Sequence, residues 1–204
     1  MNMDLLQLID LDSYSSSPGF LGYTDNTPDF SEAGINALCD GFLEKMASYI
    51  DDVTVISSLF ISSNKKELAA DYDTSLTEID KFLHTLLQNG LVKTIDLDTL
   101  PSPDSPQFDQ KFRELENAFT LHTPEVETLK EILRAFFQAV GLHGHLFLFF
   151  HSAELIVYPH TDDFGFGFIS MLKDKEPQCG QKKWLQTQFC DFQSSNVKSC
   201  PNCR

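Results

Sequence analysis

Apolar residues recur along this chain with two different periods. After Ser31, Ile35, Leu38, Cys39, Phe42, Leu43, Met46 and Ile50 follow at spacings of three and four, the repeat of one helix face. Ser31 offers an N-cap hydroxyl and Glu32 a first-turn carboxylate, so a helix is predicted to begin here. Residues 53–61 form a further apolar stretch that fits a helix or a strand. Residues 108–119 read as another helix. A second stripe, Val126, Leu129, Leu133, Phe136, Phe137 and Val140, has Thr123 as its cap, Pro124 at the first helical position and Gly141 as its stop. The period then shortens. Residues 145–150, 155–158 and 164–169 are short aromatic and β-branched runs, with Ser152, Ala153 and Glu154 as a turn between the first two. The expected fold class is α+β: a helical N-terminal half, then two helices packed on a small antiparallel sheet over residues 142–170.

Composition between these elements suggests four segments. Residues 1–30 read as a flexible or docking arm. Its first stretch, around Leu5, Leu6, Leu8 and Ile9, is either a terminal helix on the core or an amphipathic peptide for a partner. Residues 13–28, rich in Ser, Gly, Pro, Asn and Asp, read as loop or disorder. Residues 31–100 form a helical domain, residues 107–170 an α+β domain, and residues 171–204 a cysteine-containing tail. Pro101, Pro103 and Pro106 make the seam between the two domains a stiff linker, because proline restricts both itself and its predecessor.

Within 31–100, Glu67-Leu68-Ala69 sits on a short helical stretch, Asp73-Thr74-Ser75 makes a turn, and Leu76, Ile79, Phe82, Leu83, Leu86 and Leu87 line a second helix. Gly90-Leu91-Val92 closes it, with Gly90 at the C-cap position, and residues 92–95 alternate like a short strand. Residues 54–97 resemble the winged helix-turn-helix superfamily. That resemblance implies a helix-turn-helix with a short wing and, in DNA-binding members, a second helix that enters the major groove. Here that helix offers Ser75, Thr77, Glu78, Asp80, Lys81, His84 and Gln88, a face with one Lys, no Arg and two carboxylates. Phosphate contacts need cations, so specific duplex DNA is not an expected partner. A protein-docking or dimerising module is the better fit.

Charge sharpens this reading. The 204 residues carry 30 Asp/Glu against 15 Lys/Arg, a net charge of -15. The bias is local: residues 1–110 hold 19 carboxylates and 5 cations, whereas residues 111–204 hold 11 and 10. Such a field repels phosphate backbones and anionic lipid heads. With 42% hydrophobic residues and 18 Phe, a wholly disordered chain is excluded. No apolar run is long enough for a membrane span, and residues 1–11 lack the basic start of a signal peptide. The expectation is a cytoplasmic protein with reduced thiols and no membrane contact. Its expected function is regulatory: docking on a basic protein partner, and occupying that partner's nucleic-acid-binding surface in one version. Asp71, Asp73, Glu78 and Asp80 are the expected partner-binding residues.

Two clusters offer other chemistry. His143, His145, His151, His160, Asp162 and Asp163 place four of six histidines and two adjacent carboxylates within 21 residues. Imidazole and carboxylate are ordinary ligands of zinc and non-haem iron, and a His with an orienting Asp is a general base. A metal-dependent enzyme using residues 143–163, with His143, His145, His160, Asp162 and Asp163 as catalytic candidates, is the alternative function. The bland reading is a polar turn after a strand. In the tail, Cys179, Cys190, Cys200 and Cys203 suffice for a tetrahedral zinc site, though only Cys200 and Cys203 are spaced as a pair. The Cys-Pro-Asn-Cys ending also permits a redox reading, and four plain cysteines remain open.

Overall fold

The computed structural model describes residues 7–10, 13–26, 29, 31–57, 93–94, 119–122, 125–138, 146–160 and 164–194. A 3-10 turn at Tyr14–Ser16 is followed by β1 (Phe20–Thr24) and α1 (Glu32–Met46). A second 3-10 turn, Ala47–Asp52, leads into β2 (Val53–Ser57), and β3 (Lys93–Thr94) and β4 (Phe119–His122) come next. Then come α2 (Val126–Gln138), β5 (Leu146–Phe150), β6 (Leu155–His160) and β7 (Gly165–Ser170). α3 (Lys175–Gln188) and β8 (Phe192–Ser194) end the series.

The α+β class holds, but the sheet is larger than the sequence suggests. Among the described residues, eight strands form one antiparallel sheet in the order β3-β4-β2-β5-β6-β7-β1-β8. The β5–β6–β7 meander is its centre, in a register that pairs Leu148 with Val157 and Tyr158 with Gly167. The sheet also takes strands from all four segments of the sequence: β1 from 1–30, β2 and β3 from 31–100, β4 to β7 from 107–170, and β8 from 171–204.

Alternation along the central strands decides the layers. Leu146, Leu148, Phe150, Leu155, Val157, Phe166 and Phe168 face the helices and pack with Ile35, Phe42, Met46, Leu133, Phe137 and Leu185. Phe147, Phe149, Ile156, Tyr158 and Ile169 face the other way, against Ile9, Tyr14 and Met171. Burial on both faces explains why these strands read as continuous apolar runs.

α1 begins as its sequence predicts, with the Ser31 Oγ accepting from the Gly34 N–H at 3.0 Å. It tightens into the 3-10 turn after Met46, so the buried Ile50 lies beyond the α-helix proper. α1 and α2 are joined across their outer edge. Lys130 meets Asp40 at 2.6 Å, and Arg134 meets Glu32 at 3.3 Å and Glu131 at 2.6 Å. The Asp40 carboxylate raises the affinity of Lys130 for its proton.

Several expectations change. The stretch 13–28 is not loop throughout: the Tyr14–Ser16 turn and β1 lie in it. Phe20, Leu21, Tyr23 and Thr24 are strand formers, and Gly22, at φ 150°, sits where β1 shifts register on β7 and a Cβ would meet the Gln193 carbonyl. The Ser17 hydroxyl also accepts from the Asp10 N–H at 2.9 Å. Non-local pairing outweighs the turn-rich composition. Phe119 begins a strand instead of ending a helix. Val126, assigned to the apolar stripe of α2, is 50% exposed, like its neighbours Glu125 and Glu127, and the buried face of α2 begins at Leu129. The tail holds α3, whose Leu185 is buried and whose Gln181 binds the Ala153 and Glu154 carbonyls at 3.0 and 3.1 Å. The helix-turn-helix tract 64–92, the proline linker, Thr123, Pro124, Val140 and Gly141 lie outside the described residues. The short strand expected over 92–95 is β3, which pairs with β4.

Candidate functional site

His160 ends β6 opposite Gly165, half-buried, with its ring 5.9 Å from Tyr23 and 6.2 Å from Tyr158. His151 sits in the β5–β6 turn. Its Nε2 is 2.8 Å from the Thr54 hydroxyl, and its N–H donates to the Asp52 carbonyl at 3.1 Å. These contacts join His151 to β2 as a turn anchor. His143, His145, Asp162 and Asp163 lie outside the described residues. Among the described residues no group of three or more His, Cys, Asp or Glu is placed to hold a metal ion.

The cysteines divide by chemical state. Cys179 is disulfide-bonded, and a disulfide sulfur lacks the thiolate that zinc requires. The expectation of reduced thiols is not met there. Cys190 is a free, exposed thiol, and Cys39 is free and buried, its thiol pushed up to about 12 by burial. Cys200 and Cys203 lie outside the described residues, as do Asp71, Asp73, Glu78 and Asp80.

The described acidic surface centres on α1 and the turn after it. Asp40, Glu44 and Asp51 follow at near-helical spacing, and Asp52 adjoins them, all exposed. Asp40 is engaged by Lys130, so Glu44, Asp51 and Asp52 form the outward ridge. Glu125 and Glu127 are exposed at the start of α2.

A cavity of about 410 Å³ opens beside α1. Its floor is aromatic: Phe42 stacks on Phe166 with centroids 4.0 Å apart and 18° between planes, and Phe164 and Phe189 complete it. Phe164 is held at φ 48°, an unusual conformation for a bulky residue, with its ring edge-on to Phe137 at 5.1 Å. Asn26 donates to the Phe164 carbonyl at 3.3 Å, and the buried Thr24 hydroxyl accepts from the Phe166 N–H at 2.9 Å. The β1 end thereby fixes the entry to β7. Lys45 stands over Phe189, its Nζ 4.7 Å from the ring centroid. Asp29 lies on the rim, where the Ser31 hydroxyl and backbone N–H hold its carboxyl below the usual range.

The chain matches no protein-family model, no curated protein and no solved structure. Its chemistry is therefore read from its own residues. The cavity draws on residues the sequence did not single out. Thr24 and Asn26 come from the stretch read as loop and Asp29 from just beyond it, and Lys45 and Phe189 are 144 positions apart in the chain. One signal was available: Gly34 and Gly41, seven residues apart on one face of a predicted helix, where glycine is disfavoured. No described helix is long and apolar enough to cross a membrane.

Proposed function

We propose that this protein is an acidic interaction module that docks on a basic protein partner. The observation that carries this reading is the charge bias of residues 1–110, 19 carboxylates against 5 cations. The arrangement around α1 supports it. Two α2 cations, Lys130 and Arg134, are engaged by Asp40, Glu32 and Glu131, while Glu44, Asp51 and Asp52 remain exposed toward solvent. Long-range attraction from such a surface raises the association rate and makes it salt-dependent. The winged-helix reading of residues 54–97 adds Asp71, Asp73, Glu78 and Asp80 to the same acidic half.

The test is kinetic. With a captured basic partner, the on-rate falls at least about tenfold between roughly 0.1 M and 1 M salt, as the Debye length shrinks from about 10 Å to about 3 Å. Two charge-neutralised variants separate the surfaces: Glu44→Gln with Asp51→Asn and Asp52→Asn, and Asp71→Asn with Asp73→Asn, Glu78→Gln and Asp80→Asn. At least one slows association while leaving the urea midpoint unchanged. An on-rate that stays flat with salt, or two variants that bind like the parent, overturns the reading.

A further inference from the structure

The cavity beside α1 is a site of a different kind, and its lining does not include Glu44, Asp51 or Asp52. We propose that it binds a small organic ammonium compound, a positively charged head on a compact apolar body. Four features point to this chemistry. At about 410 Å³ the cavity has the size of small-molecule sites, roughly 300–1,000 Å³. Its floor of Phe42, Phe164, Phe166 and Phe189 is aromatic and apolar, and the Phe189 ring turns a face toward a cation, the kind of contact a ring's negative face favours. Lys45 already holds an ammonium 4.7 Å from the Phe189 centroid, so this floor accommodates that group. Asp29 and Asp191 both line the cavity, in a chain whose net charge of -15 concentrates cations nearby.

The helix wall adds an observation about space. A Cβ at Gly34 would meet the Asp29 carboxyl, so glycine there leaves room for the rim. At Gly41 a Cβ would meet nothing within 4 Å. Glycine inside a helix is destabilising relative to alanine, and among the described residues no neighbour requires it at this position. Gly41 lines the cavity and leaves its wall open at the expense of helix stability. Lys45 then acts as an internal ammonium that competes for the aromatic floor.

Calorimetric titration of the full chain tests this with 2-phenylethylammonium, with 3-phenylpropionate and 2-phenylethanol as anionic and neutral probes. The ammonium saturates with a Kd of about 1 mM or tighter, at least about tenfold tighter than either control. No saturation in that range, or equal affinity for the carboxylate, overturns the proposal. Lys45→Met tightens ammonium binding about two- to fivefold by removing the internal competitor. Loss of binding in that variant overturns the assignment of Lys45. Gly41→Ala raises the melting temperature by about 2–4 °C and weakens ammonium binding at least about fivefold. A lowered melting temperature would mean that packing requires the glycine. Unchanged binding would place the ammonium elsewhere. Either result sinks the proposal.

Discussion

Tyr158 lays its ring over Gly167, its cross-strand partner on β7, and a Cβ at position 167 would run into that ring. The same ring meets Tyr14 edge-on at 4.5 Å, and Tyr14 meets Phe147 at 5.4 Å. One missing side chain thus lets the N-terminal segment close over the far face of the sheet. Gly167→Ala is expected to cost about 1–3 kcal/mol, the scale of overpacking a filled core. The same substitution in a Tyr158→Ala background should cost less than half as much, because the obstructing ring is gone. Urea denaturation of the four proteins of this cycle measures both numbers, and equal costs in the two backgrounds would refute the contact.

Phe42 joins α1 to the sheet. It is 2% exposed and stacks on Phe166, with Phe150 edge-on at 6.1 Å. Phe42→Ala should destabilise the fold by about 3–5 kcal/mol, whereas Ala37→Ser, at an exposed position of the same helix, should stay within about 0.5 kcal/mol. Chemical denaturation at fixed pH reads both. A Phe42→Ala cost near that of the surface control would contradict its place in the core.

Alkaline pH should weaken the fold in a defined direction. Burial raises the hydroxyl of Tyr14, with a smaller contribution from Tyr158, and burial also raises Tyr158 itself. The Cys39 thiol is pushed up to about 12. The unfolded chain releases these protons first, near pH 9.0 for the thiol and 10.0 for the phenols. These groups therefore cost nothing below about pH 9, and stability declines above it as the unfolded state binds fewer protons than the folded one. Ultraviolet titration should show the Tyr14 and Tyr158 phenols silent until the fold is lost. Ordinary ionisation of Tyr14 and Tyr158 in the folded protein, read against Tyr14→Phe and Tyr158→Phe variants, would contradict their burial.

The β5–β6 turn offers a stabilising change. Glu154 is exposed at φ 52°, its carbonyl accepting from the Met171 N–H at 2.8 Å, so the turn holds a left-handed residue that is not glycine. Relief of about 1–2 kcal/mol exceeds the entropy that glycine loses on folding, about 0.5–1 kcal/mol. Glu154→Gly should therefore gain about 0.5–1 kcal/mol, seen as a rise in urea midpoint. A lower midpoint would show that the Glu154 side chain contributes more than its backbone costs.

The sequence by itself determined the elements whose information is local. Ser31, Glu32 and the stripe from Ile35 to Met46 specify α1, because capping and the 3.6-residue repeat act within one helix. The aromatic runs around Phe147, Ile156 and Phe168 specify the central meander, because short turns make their pairing nearly local. Only the tertiary structure decided the rest. β2 became a strand because β4 and β5 flank it, although residues 53–61 fit either period. β1 exists because β7 and β8 pair with residues that look like loop when read alone. His151 and His160, near each other in sequence, were separated into different contacts: one bonds Thr54 and the other lies against Tyr23. Asp29, Lys45, Phe166 and Phe189, distant in sequence, came to line one cavity. Pairing and cavity formation depend on contacts between distant residues, and no local pattern of hydrophobic spacing encodes which distant residues meet.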